Sequence, residues 1–150
     1  MPDACVIDTT ILQKANAPLL NEPRARALFR KRLQLLNDID QRRRTVLKSD
    51  SLVKEYEDQV GRPRNDFVKA FMELILGPSG DRVHHNWKTR WSGADREKSR
   101  KCRFPREDDH VLRTAIRSDS VTTIFTEEDR MLRADECIYR AFRVHIRGLP

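Results

Sequence analysis

Acidic residues punctuate this chain where apolar runs give way to polar ones, and carboxylates so placed are the donors that a hard divalent cation needs. Asp8 ends the run Ala4-Cys5-Val6-Ile7, and Glu55 lies in the first turns of a segment that opens at Ser49. Asp108 precedes the stripe Val111, Leu112, Ala115, and Glu128 and Asp129 follow the run from Val121 to Thr126. Carboxylates brought to close range repel one another and call for a cation, and an all-oxygen set without His or Cys selects magnesium or manganese. Thr126 is placed to orient a carboxylate or a metal-bound water. Each acid taken singly also suits a helix cap or a solvated face. Asp8 fits that ordinary role least well, because it ends a buried apolar run instead of decorating a helix.

The elements that must position these groups follow from periodicity. Ala4 to Ile7 is short, apolar and partly β-branched, as in a strand buried on both faces. Pro23 to Asn37 spaces Ala27, Leu28, Leu35 and Leu36 among arginines at helical intervals, and Thr45 to Lys48 then reads as a second strand. Ser49-Asp50-Ser51 suits an N-cap for a helix carrying Leu52, Val53, Tyr56 and Val60. Gly61-Arg62-Pro63 interrupts it before a further helical stripe from Phe67 to Ile75, which Gly77-Pro78-Ser79-Gly80 stops. A short strand is expected near Arg82 to His85, and the rest of the stretch to Arg106 has no assignable pattern. A helix from Val111 to Ile116, a strand from Val121 to Thr126, a helix opened by Glu127-Glu128-Asp129 and an edge strand from Phe142 to Ile146 complete the reading.

Strands alternating with helices predict an α/β/α sandwich with a central, mainly parallel sheet of four to five strands. In such a sheet the strand ends and helix starts share one edge, where carboxylates distant in sequence can meet. Helical register favours Asp108 over Asp109, since Asp108 shares the face of Val111, Leu112 and Ala115. Spacing does not choose between Glu128 and Asp129. His84, His85, His110 and His145 lack metal-ligand spacing and receive no catalytic role, with His110 read as an exposed residue at a helix start.

With 150 residues the chain suits a single domain, and a net charge of +7 with a pI near 9.7 points to a polyanionic partner. Arg42, Arg43 and Arg44, together with Arg82, Trp87, Lys88, Arg90, Trp91, Arg100, Lys101 and Arg103 of the basic stretch at about 78–106, are the candidate nucleic-acid contacts. The cations would hold phosphates and the tryptophans would stack on bases, while packing of the tryptophans onto the domain is the equal alternative. The three cysteines, Cys5, Cys102 and Cys137, lie far apart and read as reduced thiols. No run approaches the roughly 20 apolar residues of a membrane span, and no signal peptide is evident, so a cytoplasmic protein without a membrane partner is expected.

Val6-Ile7-Asp8-Thr9 resembles the V-[IL]-D-[TS] motif that opens the PIN-domain nucleases, a family that includes the ribonuclease toxins of toxin–antitoxin modules. Ser49 to Tyr56 is similar to its S-x-x-L-x-x-E-Y segment. Asp108 to Ala115 resembles its D-x-x-[VF]-L-x-x-A helix start, and Ile124 to Glu128 with Met131-Leu132 corresponds to I-V-T-x-D and a hydrophobic pair. Together the motifs span nearly the whole chain. The resemblance implies a magnesium- or manganese-dependent endoribonuclease with Asp8, Glu55 and Asp108 as metal-binding acids. Glu128 stands where the family usually has Asp, which leaves Glu128 or Asp129 to complete the set, and Thr10 stands where the family often has Asn. RNA is the implied substrate, with DNA open. An antitoxin protein and a homodimer are the implied partners, and the alternative is a weakened module that binds RNA or a protein without cutting.

Overall fold

The computed structural model describes residues 4–18, 21–42 and 44–150. Its frame is one five-stranded sheet in the order β3-β2-β1-β4-β5, formed by β1 (Ala4–Ile7), β2 (Thr45–Lys48), β3 (Val83–His85), β4 (Thr122–Phe125) and β5 (Val144–Arg147). Every pairing is parallel. Helices flank the sheet as in an α/β/α sandwich. β1 is central and fully buried, which is why it could be apolar at every position instead of alternating.

α1 (Thr9–Ala15) follows β1 directly, and α2 (Pro23–Gln41) carries the chain to β2. The expected helix from Pro23 thus runs four residues beyond Asn37, its last turn held inside by Ile39. α3 (Asp50–Val60) begins as its sequence predicts, with Ser49 Oγ accepting from the Leu52 N–H at 3.3 Å. It ends at Gly61, whose φ of 66° lies in the left-handed region that a residue without Cβ adopts freely. α4 (Asp66–Leu76) has the corresponding Asn65 cap. Its C-terminal carbonyls are met by Lys48, a cation at the end of buried β2 whose Nζ donates to the Ile75 and Gly77 oxygens at 2.7 and 2.9 Å.

The stretch without a sequence pattern contains α5 (Gly93–Lys101), closed at its N-terminus by a reciprocal Ser92–Asp95 capping box. A 3-10 turn (Arg106–Asp108), α6 (Asp109–Ala115), α7 (Asp129–Arg133) and α8 (Asp135–Phe142) complete the chain. The reading of the cysteines as reduced thiols is corrected here: Cys102 and Cys137 are joined in a disulfide, while Cys5 stands outside that bond, buried in β1. Among the described residues, no helix is long and apolar enough to cross a membrane.

Candidate active site

The strand order reverses direction at β1. β2 and β3 lie to one side of it, β4 and β5 to the other, so the chain turns opposite ways on leaving β1 and β4. Open parallel sheets bind ligands in the crevice formed at such a switch point, beyond the carboxyl ends of the strands. Asp8 follows β1 there and Thr126 follows β4, with Ile7 and Phe125 in register beside them. Thr126 Oγ1 donates to Asp8 Oδ2 at 2.7 Å, and the Asp8 N–H donates to the Phe125 oxygen at 2.9 Å. Only 4% of Asp8 is exposed. Its pKa is raised, first by burial and further by Glu55, with the Thr126 hydrogen bond opposing the rise.

Glu55 reaches the same crevice from α3, which packs against α1 and α6. One of its oxygens accepts from the Thr9 hydroxyl, and the other lies 2.5 Å from His110 Nε2. The His110 contact is the main reason the Glu55 pKa is lowered, and in return Glu55 raises that of His110. Asp108 ends the 3-10 turn and precedes α6, and its side chain makes no cap hydrogen bond. Burial pushes its pKa up to about 6, with the negative charges of Asp8, Glu107 and Glu55 adding to the rise. Asp8, Glu55 and Asp108 therefore sense one another, although 100 positions separate the first from the last.

Neighbouring Asp109 faces elsewhere. It takes the Arg100 guanidinium and the Ser99 hydroxyl, the latter at 3.3 Å. Glu128 touches the crevice only through its backbone, its N–H donating to Thr126 Oγ1 at 3.0 Å. The Glu128 side chain caps α7 and pairs with Arg130 Nε at 3.0 Å, and Arg130 extends to Glu107 at 2.6 Å. Asp129 is exposed on the first turn of α7. The structure thus unites Asp8, Glu55, Asp108 and Thr126, and leaves the Glu128 and Asp129 carboxylates outside that group.

The basic candidates divide by position. Arg44 enters β2 and Arg82 enters β3, so their backbones stand at the sheet edge opposite Asp8, and the same end of α2 engages them. Arg42 and Arg44 pair with Asp38, and Arg82 pairs with Asp40. Arg43 lies outside the described residues. Arg100 is spent on Asp109 and the Phe104 oxygen, Lys101 pairs with Glu97, and exposed Arg103 carries the left-handed backbone that leaves α5. Lys88 pairs with Asp95, and Arg90 is exposed.

Trp87 and Trp91 sit around Arg113, whose guanidinium lies 4.0 and 5.6 Å from their ring centroids. Trp91 also stacks on Phe142 at 6.0 Å, so packing onto the domain occupies much of its surface. Arg96, Asp109, His110 and Thr89 join these three in lining a groove of about 430 Å³. His110 lines this groove and touches Glu55, which corrects its reading as an exposed residue. Arg96 and Arg113 were likewise not singled out in the sequence. No spacing signals Arg113, because its partners, the two tryptophans and the Lys88 oxygen, lie on another segment.

Among the described residues, no group of three or more His, Cys, Asp or Glu side chains is placed so that it could hold a metal ion. The carboxylate oxygens are of the donor type that a hard cation takes. Nearby carboxylates add to the raised pKa of Asp8 and of Asp108, and His110, its own pKa raised by Glu55, is set against the group. No family model, no curated protein and no solved structure matches this chain.

Proposed function

We propose that this protein is a metal-dependent nuclease of the PIN type that hydrolyses RNA phosphodiester bonds. The observation that supports it most is the meeting of Asp8, Glu55 and Asp108 at the switch point between β1 and β4, where the Asp108 pKa is pushed up to about 6 by burial and its acidic neighbours. That is the electrostatic condition a divalent cation relieves. Asp8, Glu55 and Asp108 would hold magnesium or manganese. A bound divalent ion supplies Lewis acidity, which makes water a better nucleophile at neutral pH and offsets charge growing on the scissile phosphate.

The surrounding residues have separate tasks. Thr126 orients Asp8 through its hydrogen bond, which also opposes the rise in the Asp8 pKa. His110 holds Glu55 in place through its contact with the second carboxylate oxygen. Arg96 and Arg113, in the groove that His110 shares, take the phosphates flanking the cut, and Trp87 contributes a ring face to a base. The net charge of +7 suits a polyanionic substrate. A role as the toxin of a toxin–antitoxin pair is a subtype of this reading; it predicts growth arrest on expression that Asp8→Ala relieves.

A second reading, a module that binds RNA or a protein without cutting, is favoured by one feature: Glu128 is tied to Arg130, so the last acidic position contributes no carboxylate to the group. Labelled single-stranded RNA and DNA incubated with wild type and Asp8→Asn, in manganese, magnesium or excess EDTA, separate the two. Metal-dependent cutting by wild type that disappears in Asp8→Asn supports the nuclease. Binding without cutting on every substrate supports the module, and cutting by Asp8→Asn at the wild-type rate removes the nuclease site from the switch point.

A further inference from the structure

Cys102 and Cys137 are 35 positions apart in sequence, and their Cα atoms lie 5.4 Å apart. The loop they close carries the Asp108 turn, α6 with His110, β4, Thr126 and α7. Half of the carboxylate crevice therefore lies within the loop that this covalent link closes. α5, which ends at Cys102, has little grip of its own: its buried residues are Asp95 and Ser99, both polar, so it brings no apolar stripe to the domain. Its end is fastened by the link to α8, by the contacts from Ser99 and Arg100 to Asp109, and by Phe104, buried in the core two residues beyond Cys102. Asp109 adjoins Asp108. A continuous path thus runs from α8 through the disulfide and α5 to the turn that sets Asp108.

The disulfide is accessible. Cys137 is exposed, whereas Cys102 is 8% exposed, and both line an open groove of about 500 Å³. Lys98, Lys101, Arg133 and Arg140 share that groove with a single acid, Glu136. Such a surrounding attracts an incoming thiolate and stabilises the thiolate that leaves, the two conditions that speed exchange. We propose that Cys102–Cys137 is a thiol–disulfide exchange site whose opening releases α5 and loosens the turn that carries Asp108.

The exchange balances with a dithiol as reductant. One of its thiolates attacks Sγ of Cys137, the S–S bond breaks, and the electron pair leaves on Sγ of Cys102. The second dithiol sulfur then attacks the mixed disulfide and expels Sγ of Cys137. The dithiol ends as a cyclic disulfide, and its two protons end on the two cysteine thiols. A reducing compartment holds the pair open and an oxidising one holds it closed.

The loosening of α5 is independent of the nuclease reading; a consequent loss of cation affinity rests on it. The test is amide hydrogen exchange on the full chain, oxidised and after dithiothreitol, beside Cys102→Ser/Cys137→Ser, with alkylation and mass measurement counting free thiols. The expected result is opening of the bond in the folded protein and exchange roughly tenfold or more faster over 93–110, with β1 and β2 unchanged. The double variant should behave like the reduced protein with and without dithiol. A bond that opens only on global unfolding, unchanged exchange over 93–110, or acceleration of all segments together would each overturn the proposal. Manganese titration of the double variant then reads the coupling. Weaker binding than in oxidised wild type supports it, equal binding overturns it, and no binding by either protein counts against the nuclease reading while the exchange data still decide the switch.

Discussion

Replacing Asp108 with Asn is expected to make the metal-free protein more stable while abolishing cleavage. The side chain makes no cap hydrogen bond, so the amide forfeits no such contact and removes a charge that its surroundings oppose. Each tenfold change in proton affinity corresponds to about 1.4 kcal/mol, so a rise from 3.8 to about 6 would amount to about 3 kcal/mol in a dry site. Asp108 is only half-buried, and solvent screening reduces this to about 1–2 kcal/mol. The sign follows from proton binding. Because the folded pKa is raised, the folded state holds the proton more tightly between pH 3.8 and about 6, so stability declines as pH rises through that window and the full penalty applies above it. Thermal unfolding of wild type and Asp108→Asn in EDTA reads this directly. At pH 7.5 the variant should melt about 2–8 °C higher, and near pH 4 the two should nearly coincide. A divalent ion should then raise the wild-type Tm at pH 7.5 and leave the variant almost unmoved. Equal melting temperatures at pH 7.5, or the same gain at both pH values, would refute the claim that Asp108 is electrostatically strained.

Three further outcomes are expected. Thr126→Val removes the hydroxyl that lowers the Asp8 pKa, so the acid limb of the cleavage profile should move to higher pH, and an unmoved limb would detach Thr126 from the site. Arg32→Ala strands the Glu127 carboxylate that Arg32 grips through two hydrogen bonds of 2.8 Å, and should cost about 3 kcal/mol in urea unfolding. A loss below about 1 kcal/mol would class the pair with ordinary surface ion pairs. Cys102→Ser/Cys137→Ser opens a loop whose ends are 35 positions apart, for which chain entropy gives a loss of about 4 kcal/mol; chemical denaturation of this variant against oxidised wild type measures it.

The strands were legible because their positions are β-branched or apolar and bounded by turn residues: Val6-Ile7, Val46-Leu47 and Ile124-Phe125 all fall inside the expected elements. The helices that escaped notice lacked such contrast. α1 starts with two threonines and spans seven residues, too few for a period to repeat, and α5 buries only polar side chains. In α8 a buried stripe exists, but it consists of Ile138 and Phe142 alone. The site divides the same way. Asp8 announces itself by ending a buried strand, and register on α6 separates Asp108 from Asp109. The Glu55–His110 contact, the escape of Glu128 to Arg130 and the disulfide all depend on pairs from separate elements, about which local periodicity is silent.

Asp8 and Thr126 are 118 positions apart, and the hydrogen bond between them joins the first strand of the chain to a loop near its end. β1 pairs with both β2 and β4, so it can acquire its β2 neighbour early but must wait for most of the remaining residues before its β4 flank is covered. Synthesis proceeds at roughly 5–20 residues per second, and parallel pairings of this span form late. A growing polypeptide therefore lacks an assembled crevice until β4 and Thr126 have been made. On the nuclease reading proposed above, this order of events keeps a nascent chain harmless to its own message until Thr126 has been made and β4 has paired with β1.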